Sequence, residues 1–223
     1  MKTEIHDLES KGDSSMFFAP IKRAMDILGS VVFMILFSPF YIVFGILIWL
    51  QDFHSPIYVQ KRVGQFNKIF TIHKFRSMVI NADQVMMQDA KIYNQLRSDN
   101  NKIQNDPRIT KLGKFIRKYS IDEFPQMFDV LVGSMSLVGP RPLRPDEAQL
   151  YRDQSEEHSR QLDKVFEMKP GITGLWQVSG RSNISFKDRM ILEEKYSRAR
   201  SIMLDLTILI KTPLAAIQGE GAY

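Results

Sequence analysis

The chain has 223 residues, a length that suits one domain with a sizeable core rather than two. It contains no cysteine, which excludes disulfides, thiolate catalysis and cysteine-based zinc sites and fits a reducing compartment. Thirty basic against 25 acidic residues give a net charge of +5, which favours anionic partners such as phosphates, acidic lipid headgroups or nucleic acid.

Residues 1–15 form a predicted mobile N-terminal arm. They mix charges of both signs with few apolar positions, whereas a secretory signal places basic residues before an apolar stretch. We therefore expect this arm to remain uncleaved.

An apolar segment follows the arm, and its composition indicates contact with lipid. No charged residue occurs from Ile27 to Gln51, as in a membrane-spanning helix. A simple span is one interpretation. However, both ends of the segment carry a basic pair that favours the cytoplasmic side, Lys22-Arg23 before it and Lys61-Arg62 after it. A helix that spans the membrane would place only one of these pairs in the cytoplasm.

Ser38-Pro39 lies in the middle of this segment. A proline inside a helix removes a backbone hydrogen bond and clashes with the preceding turn, so we expect a break there, with the Ser38 hydroxyl as a partner for a freed carbonyl. Arms at 22–38 and 40–50 would measure roughly 25 Å and 17 Å, each short of a hydrocarbon core of about 30 Å. We therefore interpret residues 16–52 as a re-entrant helix–break–helix that enters and leaves one leaflet.

Two short β-type runs, Pro56–Val63 and Lys68–Met78, predict a small hairpin around Gly64. Lys74 and Arg76 lie at the end of the second run, where two cations could meet a phosphate. Charged residues that guard an exposed strand edge give the same pattern, and both interpretations remain open.

Ser120 to Gln126 contains the adjacent carboxylates Asp122 and Glu123. Carboxylates at the start of a helix can supply a nucleophile and hold a hard metal ion. The alternative is a capping box, because Ser120 precedes Glu123 by three residues.

Two later elements present arginines in restricted backbone. Val138 to Pro142 places Arg141 between two prolines, and its planar guanidinium suits phosphate oxygens. Lys169 to Arg181 contains three glycines, which allow the backbone to approach a ligand closely. Trp176 in this stretch could stack on a ring or belong to the core, and Arg181 could bind a second phosphate.

Three other stretches have helical length. Ala82–Leu96 and Glu147–Phe166 are charged and predict solvated helices. Ile202–Ile217 is apolar but interrupted, so it either packs in the core or lies at a bilayer surface.

These motifs together resemble the bacterial sugar transferase family, the monotopic phosphoglycosyl transferases, from about Ile21 to the C-terminus. The last five residues, 219–223, are similar to the exopolysaccharide-initiating branch. The sequence departs from the family pattern at Asp129 and Ser134, and we assign these two positions no role. The resemblance rests on these motifs: Lys22-Arg23 with Asp26, Ser38-Pro39, Lys74 to Met78, Asp106 to Arg108, Arg117 to Gln126, Met135 to Pro142 and Lys169 to Arg181.

The resemblance implies a two-step transfer of a sugar 1-phosphate, expected to be a hexose 1-phosphate, from a UDP-sugar to undecaprenyl phosphate, with a covalent phosphosugar-enzyme intermediate and release of UMP. Asp122 would be the nucleophile and Glu123 its partner in acid/base transfer, and both would hold Mg²⁺. The phosphate-binding residues expected around them are Lys74, Arg76, Arg117, Arg141, Arg181 and Trp176.

The same resemblance implies an α/β fold that is mainly helical, with a small β-hairpin or sheet. The re-entrant segment would seat a cytoplasmic catalytic region, residues 53–223, on anionic lipids of the inner leaflet of a bacterial cytoplasmic membrane. Self-association into a homo-oligomer is left open.

Two rival interpretations were weighed. A non-enzymatic membrane-surface scaffold would need only the basic domain and its lipid-seated helix. Nucleic-acid binding is favoured by charge alone, and no helix-turn-helix spacing, zinc finger or aromatic-basic strand motif supports it, so we expect no nucleic acid partner.

Overall fold

The computed structural model describes residues 17–82, 84–85, 106–180 and 184–218, and for residues 216–218 it describes the backbone alone. The arm at 1–15, most of Ala82–Leu96, Arg181 and residues 219–223 lie outside this part of the chain. The helices are α1 (Phe18–Leu36), α2 (Ser38–Trp49), α3 (Lys111–Lys118), α4 (Gln126–Val132), α5 (Pro145–Arg152), α6 (Glu156–Val165), α7 (Leu175–Val178), α8 (Phe186–Ala199) and α9 (Ile202–Gln218). The strands are β1 (Ile57–Val63), β2 (Ile69–Phe75), β3 (Ser136–Val138) and β4 (Gly171–Thr173).

The apolar segment forms the bent helix pair α1 and α2, which meet at 64°. The break lies at Phe37, one residue before the predicted position, because Pro39 occupies the first turn of α2, where its missing N–H is not needed. The Ser38 hydroxyl donates to the carbonyl of Ile35 at 2.9 Å, which confirms the predicted local partner. Among the described residues no single helix is long and apolar enough to cross a membrane, whereas the bent pair together meets that test by length and composition.

The polar first half of α1 is anchored in the rest of the domain by a buried ion pair. The Lys22 ammonium donates to the Asp205 carboxylate at 2.5 Å and to the Val138 carbonyl at 2.9 Å. Tyr196 donates to the other Asp205 oxygen at 2.7 Å. Because buried charges are tolerated only when paired and hydrogen-bonded, this cluster fixes α1 against α9 and β3.

Two further contacts set the direction of α1. Asp26 accepts a hydrogen bond from the Ser136 hydroxyl at 2.9 Å. Arg23 donates to the carbonyls of Val130 and Leu131, both at 2.7 Å, near the end of α4, where carbonyls lack helical partners. These contacts attach the N-terminal half of α1 to the domain, whereas many apolar side chains of both helices remain exposed.

The predicted hairpin is confirmed, since β1 and β2 pair antiparallel from Ile57 opposite Phe75 to Val63 opposite Ile69. A second, parallel pair joins β3 to β4, with Ser136 opposite Gly171. The structure is otherwise mainly helical, in agreement with the expected class.

The charged stretch Glu147–Phe166 is not one solvated helix. It is divided between α5 and α6, and its apolar residues Tyr151, Leu162 and Phe166 are buried in a common cluster. In α9, Ile208 is buried whereas Ile210 is 79% exposed, so one face of this helix packs in the core and contact of the other face with a bilayer stays a prediction.

Candidate functional site

The backbone that carries the two carboxylates is fixed by a close approach between α3 and the segment after β2. The Thr110 hydroxyl accepts from the Gly113 N–H at 2.9 Å and caps α3. A Cβ on Gly113 would lie 1.9 Å from the Ser77 carbonyl oxygen, so only glycine fits. After α3, Ser120 is left-handed with a φ of 57° and begins the 3₁₀ turn Ile121–Glu123. Its side chain makes no capping bond, so the capping-box alternative is wrong.

Glu123 is held by two cations from different elements. Its Oε1 atom accepts from the Lys74 ammonium at 2.8 Å and from the Arg141 guanidinium at 3.2 Å. Burial opposes ionisation of Glu123, but the attraction and hydrogen bonds of Lys74 and Arg141 outweigh it and hold the pKa of Glu123 well below its usual range. Glu123 is therefore ionised throughout the neutral range.

Asp122 is half-buried beside this pair and accepts no hydrogen bond from any described residue. Burial raises the pKa of Asp122 to about 6, and the negative charge of Glu123 adds to the rise. Lys74, Arg117 and Arg141 oppose it through their positive charges. The environment thus separates the pKa values of two adjacent carboxylates, which is typical of groups with different chemical roles.

Arg141 is supported from behind by two residues that no sequence motif identified. Its backbone N–H donates to Glu193 Oε1 at 3.0 Å, and its carbonyl accepts from Arg189 at 3.0 Å. Burial raises the pKa of Glu193 to about 7, although Arg189 opposes the rise. Both residues lie on α8, where their i, i+4 spacing looks like an ordinary helical ion pair, so no local signal distinguishes them.

Trp176 lies beside Arg141 and Arg189 and is not a core residue. The ring is half-buried, and the guanidinium carbons of Arg189 and Arg141 lie 4.8 Å and 5.9 Å from its centroid. Its indole N–H is buried without a hydrogen-bond partner in the described part of the chain. Trp176 therefore lies next to the Arg141 cation, as expected for a residue near bound phosphate or a ring.

The structure does not bring Arg76 to the carboxylates. Lys74 and Arg76 would share one face of a continuous strand, but β2 ends at Phe75, and Arg76 turns away. Its guanidinium forms an ion pair with Asp52 and donates to the Ser55 carbonyl at 3.0 Å.

Arg117 on α3 acts on Asp122 through its charge and makes no ion pair with a described residue. Arg181 lies outside the described residues, so its predicted phosphate contact stays a prediction. Asp129, to which no role was given, has a structural one. Its carboxylate accepts from the His73 N–H at 2.9 Å and bonds the His73 ring nitrogen at 2.6 Å, which ties α4 to β2.

The helix break packs directly against the residue that follows the carboxylates. The Tyr41 hydroxyl donates to the Phe124 carbonyl at 2.6 Å. The rings of Phe33 and Phe37 lie 4.9 Å and 5.4 Å from the Phe124 ring. The predicted break at Ser38 therefore belongs to the same neighbourhood as Asp122 and Glu123.

A metal ion at this site would find hard oxygen donors. Within the described ranges no cluster of three or more histidine, cysteine, aspartate or glutamate side chains occurs. Two carboxylates suffice for Mg²⁺, which retains several waters and binds substrate phosphates. Asp122, whose oxygens accept no hydrogen bond from the described residues, fits this donor set, as does the second Glu123 oxygen, which neither Lys74 nor Arg141 contacts.

A small polar recess lies beside Glu123, between Arg62, Lys74, Gln126 and Arg141. The Nε atom of Arg62 and the amide nitrogen of Gln126 are buried there without a partner among the described residues. Burial lowers the pKa of Arg62 to about 10, and the nearby Arg141 charge adds to the fall. This surplus of donors and positive charge suits a ligand with anionic oxygens.

Comparison with known proteins identifies this arrangement. Residues 17–219 match the model of the family described as bacterial sugar transferase, so the chain belongs to that family, as its motifs indicated. It is 40% identical to the undecaprenyl-phosphate galactose phosphotransferase of Salmonella typhimurium over 91% of this chain and 42% of that protein. It is 35% identical to the exopolysaccharide production protein ExoY of Rhizobium meliloti over 96% of this chain and 98% of that protein. The chain thus spans less than half of the first relative and nearly all of the second.

The separated pKa values lead to a direct titration experiment. Asp122 should titrate with a midpoint near pH 6 and should be protonated below it. Glu123→Gln should lower that midpoint, because it removes a negative neighbour and leaves Lys74 and Arg141 to attract Asp122 alone. The measurement is the carboxyl infrared band of protein with ¹³C-labelled aspartate, taken as the difference between the parent and Asp122→Asn. A midpoint near the ordinary value of about 4, or a rise in Glu123→Gln, would contradict this description.

Proposed function

We propose that the protein transfers a hexose 1-phosphate from a UDP-sugar to undecaprenyl phosphate and releases UMP, as the first membrane step of exopolysaccharide or glycoconjugate synthesis. The observation that carries the proposal is the Asp122 carboxylate, which accepts no hydrogen bond from the described residues and lies in the positive field of Lys74, Arg117 and Arg141. The names of the relatives specify galactose phosphotransfer in one protein and glucose phosphotransfer in that of Komagataeibacter xylinus, both to undecaprenyl phosphate.

In the first step the ionised Asp122 attacks the phosphorus that bears the sugar. A bond forms from the carboxylate oxygen to phosphorus, the bond from that phosphorus to the bridging oxygen breaks, and the electron pair leaves with UMP. In the second step the phosphate oxygen of undecaprenyl phosphate attacks the same phosphorus and releases Asp122. A covalent phosphosugar intermediate separates the two steps, so UMP can leave before the acceptor reacts.

The neighbouring cations compensate for the weak nucleophilicity of the Asp122 carboxylate. Phosphoryl transfer depends on positioning and on neutralising charge that develops on phosphate oxygens. Lys74 and Arg141 are already fixed by Glu123, and the backbone of Arg141 is fixed again by Glu193. Glu123 stays ionised because Lys74 and Arg141 hold its pKa well below its usual range, which suits it to orient these two cations better than to accept a proton.

Mg²⁺ is the proposed metal, with Asp122 and Glu123 as its protein ligands. When bound, it would neutralise diphosphate charge and favour departure of UMP. The cation set of Lys74, Arg117 and Arg141 would bind and orient the same phosphates.

The proposal places the bent pair α1 and α2 in the cytoplasmic leaflet of a bacterial membrane as a re-entrant segment, with the catalytic region on the cytoplasmic face. Three observations support it: the 64° bend, the exposed apolar side chains of both helices, and the packing of Tyr41 on Phe124. A lipid-borne phosphate in that leaflet would then reach Asp122 from the membrane side.

Asp122→Asn tests the catalytic role. It should lower UMP release from UDP-galactose or UDP-glucose by on the order of 10³-fold or more, because the amide cannot form the intermediate. It should also abolish exchange of labelled UMP into UDP-sugar in the absence of acceptor. Asp153→Asn, at an exposed position that ends α5, is the matched control and should retain both activities. Unchanged turnover in Asp122→Asn would refute the assignment and favour a non-enzymatic scaffold.

The topology is tested by protease accessibility. Tags at residue 2 and after residue 223 should both be protected from external protease in intact cells. Pro39→Ala should increase cleavage of the N-terminal tag alone, because a continuous helix of about 30 residues would be roughly 45 Å long and could cross the bilayer. Pro20→Ala, near the start of α1, is the control and should change nothing. Cleavage of the N-terminal tag in the parent protein would show a true span.

A further inference from the structure

A second, larger cavity lies away from the carboxylates. Its volume is about 620 Å³, within the range of ligand sites, and none of its lining residues lines the recess beside Glu123. It is lined by one face of α1, the turn between β1 and β2, the segment before β4 and the residue after α8. The lining residues that matter here are Phe18, Lys22, Arg23, Phe66, Lys169 and Arg200.

The acidic residues of this cavity do not balance its basic ones. Asp26 is engaged by the Ser136 hydroxyl and the Leu137 N–H, both at 2.9 Å. Glu167 is 3.7 Å from Arg200, in a solvent-exposed pair that is worth little. Lys169 forms neither a hydrogen bond nor an ion pair with any described residue.

Lys169 and Arg23 converge on one point. A Cβ added to Gly133, whose φ is +92°, would lie 3.3 Å from the Arg23 Nη2 atom and 3.5 Å from the Lys169 Nζ atom. Burial lowers the pKa of Lys169, and the Arg23 and Lys22 charges add to the fall, although Asp26 opposes it. Two cations so close together, without a free carboxylate between them, favour the binding of an anion.

The opposite side of the same helix is apolar and exposed. Phe17 is 69% exposed, Ile21 46% and Leu28 67%, whereas Phe18, Lys22 and Arg23 face the cavity. Phe18, Phe66 and Met168 give the cavity apolar walls beside its cations. A ligand that carries a phosphate next to an apolar group could contact both the cations and the apolar side chains of this cavity.

We propose that this cavity binds a phosphate-bearing anion through Lys169 and Arg23, as a site separate from the Asp122 centre. The apolar side chains in its walls, Phe18, Phe66 and Met168, favour the phosphodiester headgroup of an anionic lipid, with its adjoining apolar part, over a soluble phosphate. That choice of source also rests on the proposed membrane seating of α1, whereas the anion site itself does not.

Calorimetric titration of the full-length protein in neutral detergent tests this site. The probes are dihexanoyl phosphatidylglycerol below its micellar concentration, the zwitterionic dihexanoyl phosphatidylcholine and sn-glycerol 3-phosphate. The phosphatidylglycerol should bind at least tenfold more tightly than the phosphatidylcholine. Lys169→Gln should weaken that binding about tenfold, the usual effect of losing one charge-assisted hydrogen bond. Lys169→Arg should retain it.

Lys187→Gln, at an exposed lysine on α8 outside the cavity, is the matched control and should bind as the parent does. Asp122→Asn should also bind normally, so failure of the proposed activity would leave this result intact. Lys169-dependent binding of glycerol phosphate as tight as that of the lipid would support the anion site with a soluble source. Absence of binding by either phosphate probe, or equal affinity in Lys169→Gln, would overturn the proposal.

Discussion

The ion pairs of Glu123 with Lys74 and Arg141 are the interaction on which the site depends. They join the end of β2, the Gly-Pro-Arg-Pro segment after β3 and the 3₁₀ turn that carries the carboxylates. All three side chains are partly buried, so removal of one partner would leave the other charge poorly solvated. Glu123 takes these hydrogen bonds, whereas Asp122 accepts none from the described residues and has a pKa that burial raises against the attraction of the same cations. Two adjacent acidic residues thus acquire different properties from their surroundings alone.

The second constraint is the attachment of the bent helix pair to this centre. Lys22 and Asp205 bury a charge pair at the base of α1, and Tyr41 binds the Phe124 carbonyl beside the break. A helix pair fixed at both points holds its apolar surface at a set distance from Asp122. In the proposed reaction, the soluble donor and the lipid-borne acceptor would then approach one phosphorus from different sides. Such an arrangement would give a structural reason for the proposed two-step transfer on a single residue.

The sequence predicted the hairpin, the broken apolar helix and the Asp122–Glu123 pair, because each depends on local pattern or on a motif. It did not predict that Arg76 would lie away from Asp122 and Glu123, because the direction of that side chain depends on where β2 ends. The capping box at Ser120 was a fair local interpretation, but that residue adopts a left-handed conformation in which its side chain caps nothing. Glu193 was missed for a related reason: its contact with Arg141 joins positions 52 residues apart, and no spacing rule records it.

Covalent capture of the intermediate tests the central claim most directly. The protein would be mixed with UDP-sugar without acceptor, quenched in acid within milliseconds to seconds, and digested for mass spectrometry. The account predicts a peptide containing Asp122 that is heavier by one hexose phosphate, and loss of that adduct when undecaprenyl phosphate is added before quenching. An unmodified Asp122 at every time, together with kinetics that require donor and acceptor to be bound simultaneously, would contradict it.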